Sequence, residues 1–430
     1  MTMELILLTS VFLIAIALSF DIALSMILAS ATLLLVTGTV PLHLIPEKAV
    51  AQISLFPLLA IPGFIVAGEL MNVTGLTPAL GEVARVLVGR WRGGMGLATV
   101  LACMIFGGMT GSGLAETVAI GTLMIPMLAR HGYPKSFSAA IVASGGSLGP
   151  IIPPSIPMVI YASIAPTVSV AALFIGGIIP GLLIGLGFMA VVAIRSRKIL
   201  PADSASVEAI GSTGGVVLRA LPAVMVPVII LGGTLGGITT VTEASVLAAA
   251  YVFMYGVVTR TISFKVLFNA AANTAIATGL FGFIIAAAGP FSFFLALYRA
   301  PETIGNLLLT LSHGNTDVLM VVLTITLLIL GCLVEATSLV IILAPILAGT
   351  ATVAGIDQVH MALVAIVALM IGLFTPPVGT NLFAVVGISG EGIEKISREI
   401  IPFALVAGAI VLALALMPSL TTWLPNLLMK

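Results

Sequence analysis

The residues of this chain that could do chemistry come in two similar sets. The first runs Gly107-Gly108-Met109-Thr110-Gly111-Ser112-Gly113-Leu114-Ala115-Glu116 and closes on Gly149-Pro150-Ile151-Ile152-Pro153-Pro154-Ser155. The second runs Leu333-Val334-Glu335-Ala336-Thr337-Ser338 and closes on Thr375-Pro376-Pro377-Val378-Gly379-Thr380-Asn381. Glu116 and Glu335 are 219 residues apart (335 − 116), and so are Pro126 and Pro345. Pro153 and Pro376 are 223 apart (376 − 153), Pro180 and Pro402 222 (402 − 180). An internal duplication in which each copy joins a carboxylate to a proline-broken helix is the pattern of a transporter.

The prolines suggest the chemistry. A proline at position i cannot donate to the carbonyl at i−4, and its ring displaces that carbonyl. Pro150, Pro153, Pro154 and Pro157 are expected to free the carbonyls of Gly146, Gly149, Pro150 and Pro153; Pro376 and Pro377 those of Gly372 and Leu373. A bare carbonyl in hydrocarbon costs several kcal/mol, so it needs a partner, and a small hard cation that prefers oxygen ligands is one. Hydroxyls stand beside each break and at each hairpin tip, Thr110 and Ser112 at the first and Thr337 and Ser338 at the second. Two oxygen-rich sites follow. One is drawn from Thr110, Gly111, Ser112, Ser147, Gly149, Pro153 and Ser155, the other from Glu335, Thr337, Ser338, Gly372, Thr375, Pro377, Gly379 and Thr380. The alternative is a pair of kinks satisfied by neighbouring helices. Glu116 and Glu335, acids inside apolar segments, read either as ion ligands or as charges at helix N-termini. Glu69 and Glu243 have no mate in the other copy and read as lying near the membrane interface. Helix N-termini at the two tips would favour an anion, held without arginine by amides, hydroxyls and co-bound cations. Ser112, Gly113, Ser155, Thr337 and Asn381 are the candidates for that pocket.

Gly145-Gly146-Ser147-Leu148-Gly149 matches the hydrolase pattern G-x-S-x-G, which needs a strand-to-helix elbow and a histidine partner. His43, His131, His313 and His360 sit near span ends without metal spacing. The chain reads as no enzyme and as needing no cofactor. A membrane-embedded hydrolase or an ion channel are the rivals from other classes.

The elements that must position these groups lie in lipid. Sixty per cent of the residues are hydrophobic and 7% are charged, with mean hydropathy +1.29, which excludes a water-soluble globule. The formal net charge of +0 offers nothing to nucleic acid. Cys103 and Cys332 read as small buried hydrophobes. Apolar runs fall at about 4–20, 22–40, 51–72, 95–128, 136–165, 168–194, 218–238, 242–259, 268–297, 317–349, 358–388 and 399–417. The first is read as a span, since no positive stretch precedes it as in a signal peptide. Segments 95–128 and 317–349 are too long for single crossings and are interrupted near their middles. Each is expected to be a re-entrant hairpin, with its non-helical tip lining a polar cavity. That topology puts thirteen of the sixteen Lys and Arg on one side, leaving Lys48, Arg299 and Lys430 on the other. By the positive-inside rule the crowded side is cytoplasmic, the N-terminus is outside, and the two copies are inverted.

Several motifs together resemble a known family. They are Phe56-Pro57-Leu58-Leu59-Ala60-Ile61-Pro62, Ala67-Gly68-Glu69-Leu70-Met71, Gly149-Pro150-Ile151-Ile152-Pro153-Pro154-Ser155-Ile156-Pro157, Gly177-Ile178-Ile179-Pro180-Gly181, Thr242-Glu243-Ala244 and Thr375-Pro376-Pro377-Val378-Gly379. Nearly end to end, the chain is similar to the large membrane subunit (DctM-like, M subunit) of TRAP, or tripartite ATP-independent periplasmic, transporters. The resemblance implies an all-α polytopic membrane protein of the ion transporter superfamily type: an inverted-repeat, elevator-type importer with two re-entrant hairpins and two Pro-broken helices. It implies sodium as the coupling ion at both oxygen-rich sites and a bacterial or archaeal inner membrane. It also implies a separate four-span Q (DctQ-like) subunit and a periplasmic P protein that delivers an organic acid, such as a dicarboxylate or sialic acid. A proton-coupled organic anion transporter of the same fold is the alternative. The divisions expected are N-terminal scaffold spans (1–94), a first transport module (95–198), a polar linker (199–216), further scaffold spans (217–298) and a second transport module (299–430). The tip Thr110-Gly111-Ser112-Gly113, the two glutamates and Thr380 depart from the usual family residues, which bears on pocket size and substrate.

Overall fold

The computed structural model describes residues 3–38, 40–200 and 213–429, and every regular element among them is helical. Nine of these helices are long and apolar enough to cross a membrane. α1 (Met3–Ala17) and α2 (Ile22–Thr37) form a tight hairpin, α2 ending on Gly38 in the left-handed conformation. The span expected at about 51–72 runs from Phe56 to Val73, as a 3₁₀ turn (Phe56–Leu59) continued by α4 (Ala60–Val73), and the residues before it form a separate helix, α3 (Leu44–Ile53). Pro57 in that turn cannot donate a backbone hydrogen bond, so α3 cannot run on through it. α5 (Leu76–Val88) is amphipathic, burying Leu76, Leu80, Ala84 and Val88 at a spacing of four.

Next come α6 (Gly94–Thr110) and α7 (Gly113–Arg130), then α8 (Lys135–Gly146) and α9 (Ile156–Ile164), which are the halves of a helix broken over 147–155, and α10 (Val170–Ile199). Three helices follow: α11 (Thr213–Leu235), α12 (Val241–Val258) and α13 (Phe264–Leu297). The pattern then recurs as amphipathic α14 (Ala300–Leu311), hairpin arms α15 (Thr316–Leu333) and α16 (Ala336–Ala354), broken halves α17 (Gln358–Gly372) and α18 (Thr380–Ser389), and α19 (Ile393–Leu416). A last helix, α20 (Ser419–Leu428), closes the chain. Most of the expected linker, 201–212, lies outside the described residues.

The helix boundaries give the length of the repeat. The starts of α16, α17 and α19 follow those of α7, α8 and α10 by 223 residues each (336 − 113, 358 − 135, 393 − 170). The pairing of Glu116 with Glu335 at 219 is therefore one helical turn out of step. The structural mate of Glu335 is Ser112, each being the residue that caps its helix. A helix start is set by where the backbone breaks, and an acid one turn further in shares the same face, so matching letters alone slipped by a turn.

Two bodies pack side by side. In one, α13 lies against α2, α3 and α4, and α11 and α12 complete it against α5 and α4. The other holds both hairpins and both broken helices, and its copies are interlocked: α18 lies on α7 and α8, and α9 on α16 and α17. Phe188 of α10 meets Phe374 (5.7 Å) and Phe403 (5.6 Å) edge to face, so the aromatic core belongs to neither copy alone. Arg195 of α10 pairs with Glu399 of α19 across the same seam.

Candidate functional site

Glycine lets each hairpin lie directly on its broken helix. A Cβ on Gly107 would come within 2.7 Å of Gly149 Cα, and a Cβ on Gly372 would overlap the Gly331 backbone. No other residue allows main chains this close. These contacts hold the tips against the breaks. At the first, Gly111 turns with φ of 62° and packs on Pro154 and Ile156, while Gly108 faces the Pro153 carbonyl. At the second, the Val378 N–H donates to the Cys332 carbonyl at 3.2 Å. The Pro153–Pro154 and Pro376–Pro377 bonds are both cis.

The freed carbonyls are not all bare. Pro150 O accepts from the Ser155 hydroxyl at 2.5 Å, Gly372 O from the Thr375 N–H at 3.1 Å, and Leu373 O from the Asn381 N–H at 2.9 Å. The helical i−4 argument overcounted here because α8 and α17 stop before their prolines, and irregular backbone finds local donors that a kinked helix lacks. Ser155 also caps α9, accepting from Met158 N at 3.3 Å, and is fully buried. Ser147 donates to Ser144 O and Thr375 to Ile371 O, each at 2.7 Å, so both hydroxyl protons stay within their own helices.

The two hairpin tips differ. Glu335 caps α16, its carboxylate accepting from Thr337 N at 2.9 Å and Ser338 N at 2.6 Å, a charge-assisted cap. Ser112 caps α7 by backbone alone and its hydroxyl makes no capping bond. Glu116 is fully buried with neither carboxylate oxygen in a hydrogen bond of normal geometry, packed against Gly149 and Cys103.

A cavity of about 140 Å³ lies where these pieces meet. Gly111, Ser112 and Gly113 border it from the first tip, Glu335 and Thr337 from the second, Pro150 and Pro157 from the first break, and Leu373 and Thr380 from the second. It adjoins a cleft of about 860 Å³ between the two bodies, walled by α7 on one side and by α4, α5 and α13 on the other. A third space, of about 100 Å³, brings Thr110 and Ser112 against Glu69 and Asn72. No Lys, Arg or His lines any of the three. Of the five anticipated pocket residues, Ser112, Gly113 and Thr337 border the cavity. Ser155 does not, and Asn381 turns away, its amide donating to Ala143 O at 3.2 Å. Gly149, Pro153, Gly372 and Gly379 are buried behind the lining, Ser338 faces the larger cleft, and Pro377 is exposed.

Glu69 is the residue sequence reasoning misplaced. It was expected near the interface, yet α4 carries it to the first tip. It has no mate in the other copy, and the signal that could have found it is an acid inside an apolar run, in the motif Ala67-Gly68-Glu69-Leu70-Met71. Glu243 sits in the first turn of α12, in a reciprocal cap with Thr240. Cys103 and Cys332 are free thiols.

Comparisons with known proteins agree with this architecture. The fold is similar to that of the Alcanivorax borkumensis YdaH transporter, with a TM-score of 0.68 at 14% identity over 92% of this chain and 97% of that one. Neisseria gonorrhoeae MtrF follows at a TM-score of 0.62 and 16% identity, over 89% of this chain and 85% of that one. In sequence, the chain is 38% identical to the C4-dicarboxylate TRAP transporter large permease protein DctM of Pseudomonas aeruginosa, over 86% of each. It is 33% identical to the sialic acid permease SiaM of Vibrio cholerae, over 94% of each. It is 37% identical to the isethionate TRAP permease DctMQ of Oleidesulfovibrio alaskensis, matching 93% of this chain but spanning only 63% of that relative. With residues 9–420 matching the DctM component of the tripartite ATP-independent periplasmic transporters, the chain belongs to that family of large permeases.

Proposed function

We propose that this permease takes up a small organic acid by sodium-coupled, elevator-type transport. The observation that supports it best is the cavity bordered by both hairpin tips and both helix breaks, with no basic side chain in its wall. An anion there would rest on backbone amides, on the Ser112, Thr337 and Thr380 hydroxyls, and on the charge of sodium ions carried with it. The ions would be held at the two tip-and-break junctions, by main-chain oxygens around Thr110, Gly111, Gly149 and Pro153 in the first copy and around Glu335, Gly372 and Gly379 in the second. Each positive charge moving inward contributes about 2.3 kcal/mol per 100 mV of membrane potential.

The body holding both hairpins is the moving part and the other body is the scaffold. Both tips enter the membrane from opposite sides without crossing it. With the lysine- and arginine-rich side cytoplasmic, the N-terminus is periplasmic, and the large cleft, which runs down α7 from Ser112 towards Arg130, opens inward. Substrate arrives on a periplasmic binding protein, and a small four-span subunit widens the scaffold in the inner membrane. The names of the relatives point to C4-dicarboxylates, sialic acid and isethionate as the first compounds to try.

The test is uptake of each labelled compound into proteoliposomes holding this chain with its small subunit and binding protein. Accumulation should require an inward sodium gradient. Accumulation that persists after that gradient is collapsed, with the proton gradient intact, would transfer the reading to proton coupling.

A further inference from the structure

Three turns at one end of the hairpin body are tied together more tightly than their connections require. Arg92, after α5, donates to the carbonyls of Arg197 (3.1 Å) and Leu200 (3.0 Å) at the end of α10. Tyr133, between α7 and α8, accepts from Gly96 N at 3.2 Å and bonds the Ser196 hydroxyl at 3.3 Å. This places the exposed cations Arg90, Arg130, Lys135, Arg197 and Lys198 on one rigid base. None of the five has a carboxylate within ion-pair distance among the described residues, whereas neighbouring Arg195 is paired with Glu399. Trp91 stands among them, 63% exposed, between Arg90 and Arg92.

We propose that this base is a binding surface for the headgroup of an anionic phospholipid. Cations without a carboxylate partner among the described residues, fixed on a clamped backbone, repel one another and call for an anion. A soluble anion would answer the charges and leave Trp91 in water. A phospholipid answers both, because a tryptophan flanked by arginines belongs at the boundary between headgroups and acyl chains. Basic pockets between membrane helices on the cytoplasmic side recognise acidic headgroups in this way. The surface is separate from the cavities at the tips, and lipid binding there is read without any transport assay, so it stands or falls independently of the proposed function.

The experiment uses the purified full chain in detergent. Phosphatidylglycerol and phosphatidylcholine of identical acyl chains are added, and retained lipid is counted by native mass spectrometry. Phosphatidylglycerol should survive washing that strips phosphatidylcholine, and should raise the melting temperature by several degrees. The combined variant Arg130→Gln, Lys135→Gln and Lys198→Gln should lose about tenfold or more in retention while melting normally in phosphatidylcholine. Trp91→Ala should lose a few-fold, and Arg299→Gln, outside the base, nothing. Equal retention of the two lipids would overturn the proposal. So would full retention by the combined variant, or a melting shift of the same size with inorganic phosphate alone.

Discussion

Ser112 and Glu335 hold the same place in two copies of one hairpin, but their chemistry is not alike. The carboxylate of Glu335 is committed to the amides of Thr337 and Ser338 in the first turn of its helix. The hydroxyl of Ser112 is committed to nothing in its cap and borders all three cavities. Behind Ser112, one turn further along α7, Glu116 is sealed in the protein; the same position in the second copy (116 + 223) is Leu339. The breaks differ in the same sense, with 147–155 almost wholly buried while Val378 in the second is 45% exposed. Duplication preserved the backbone path and let the polar groups diverge. The two halves of the site are therefore expected to respond differently to the same class of substitution.

The largest effect is expected where main chain meets main chain. Gly372→Ala drives a methyl into the Gly331 backbone, which has nowhere to go, and should cost about 3 kcal/mol or more in thermal melting. Gly149→Ala, its mate, meets the end of the Glu116 side chain instead and should cost less, about 1–2 kcal/mol. Equal losses would mean that the two contacts are the same after all. Ser155→Ala removes the hydroxyl that serves both Pro150 O and Met158 N, at a cost of about 1–3 kcal/mol. The corresponding cap of α18 is Gly379, which has no side chain to lose.

Next in size comes the comparison of the caps. Glu335→Gln weakens a charge-assisted cap and should lower stability by about 1 kcal/mol. On the proposed function it should also raise the sodium concentration for half-maximal uptake. Ser112→Ala has no capping bond to lose and should leave melting within about 0.5 kcal/mol while still reducing uptake. If Ser112→Ala melts as early as Glu335→Gln, the asymmetry of the tips is not real. Smallest of all, Thr375→Ala removes only a bond back to its own helix and should move melting by less than about 0.5 kcal/mol.

Much of the architecture is legible in the sequence alone. Apolar runs separated by short polar turns announce membrane helices, and the two proline pairs announce two broken ones, because both signals are local. Thr110-Gly111-Ser112 marked a tip for the same reason: only a turn tolerates that run in the middle of an apolar segment. What failed were the inferences that needed neighbours. The helical i−4 rule leaves the carbonyls of Pro150, Gly372 and Leu373 free, but their donors, Ser155, Thr375 and Asn381, approach through irregular backbone. Asn381 could serve either the pocket or the broken backbone, and its amide goes to Ala143 on the broken helix of the other copy, because α18 crosses onto α8.

On its own, then, the order of residues determined that this is a duplicated helical membrane protein with two hairpin tips, the first of them glycine-rich, and two proline breaks. Hydropathy and backbone stereochemistry act over a few residues and leave their mark in the string. Only the tertiary structure decided which tip residue is the mate of which, that Glu69 of the other body reaches the first tip, and that Glu116 is enclosed while Glu335 lines a cleft. Those facts depend on how helices remote in the chain pack, and close packing is set by shape and volume summed over many partners rather than by any one stretch of sequence.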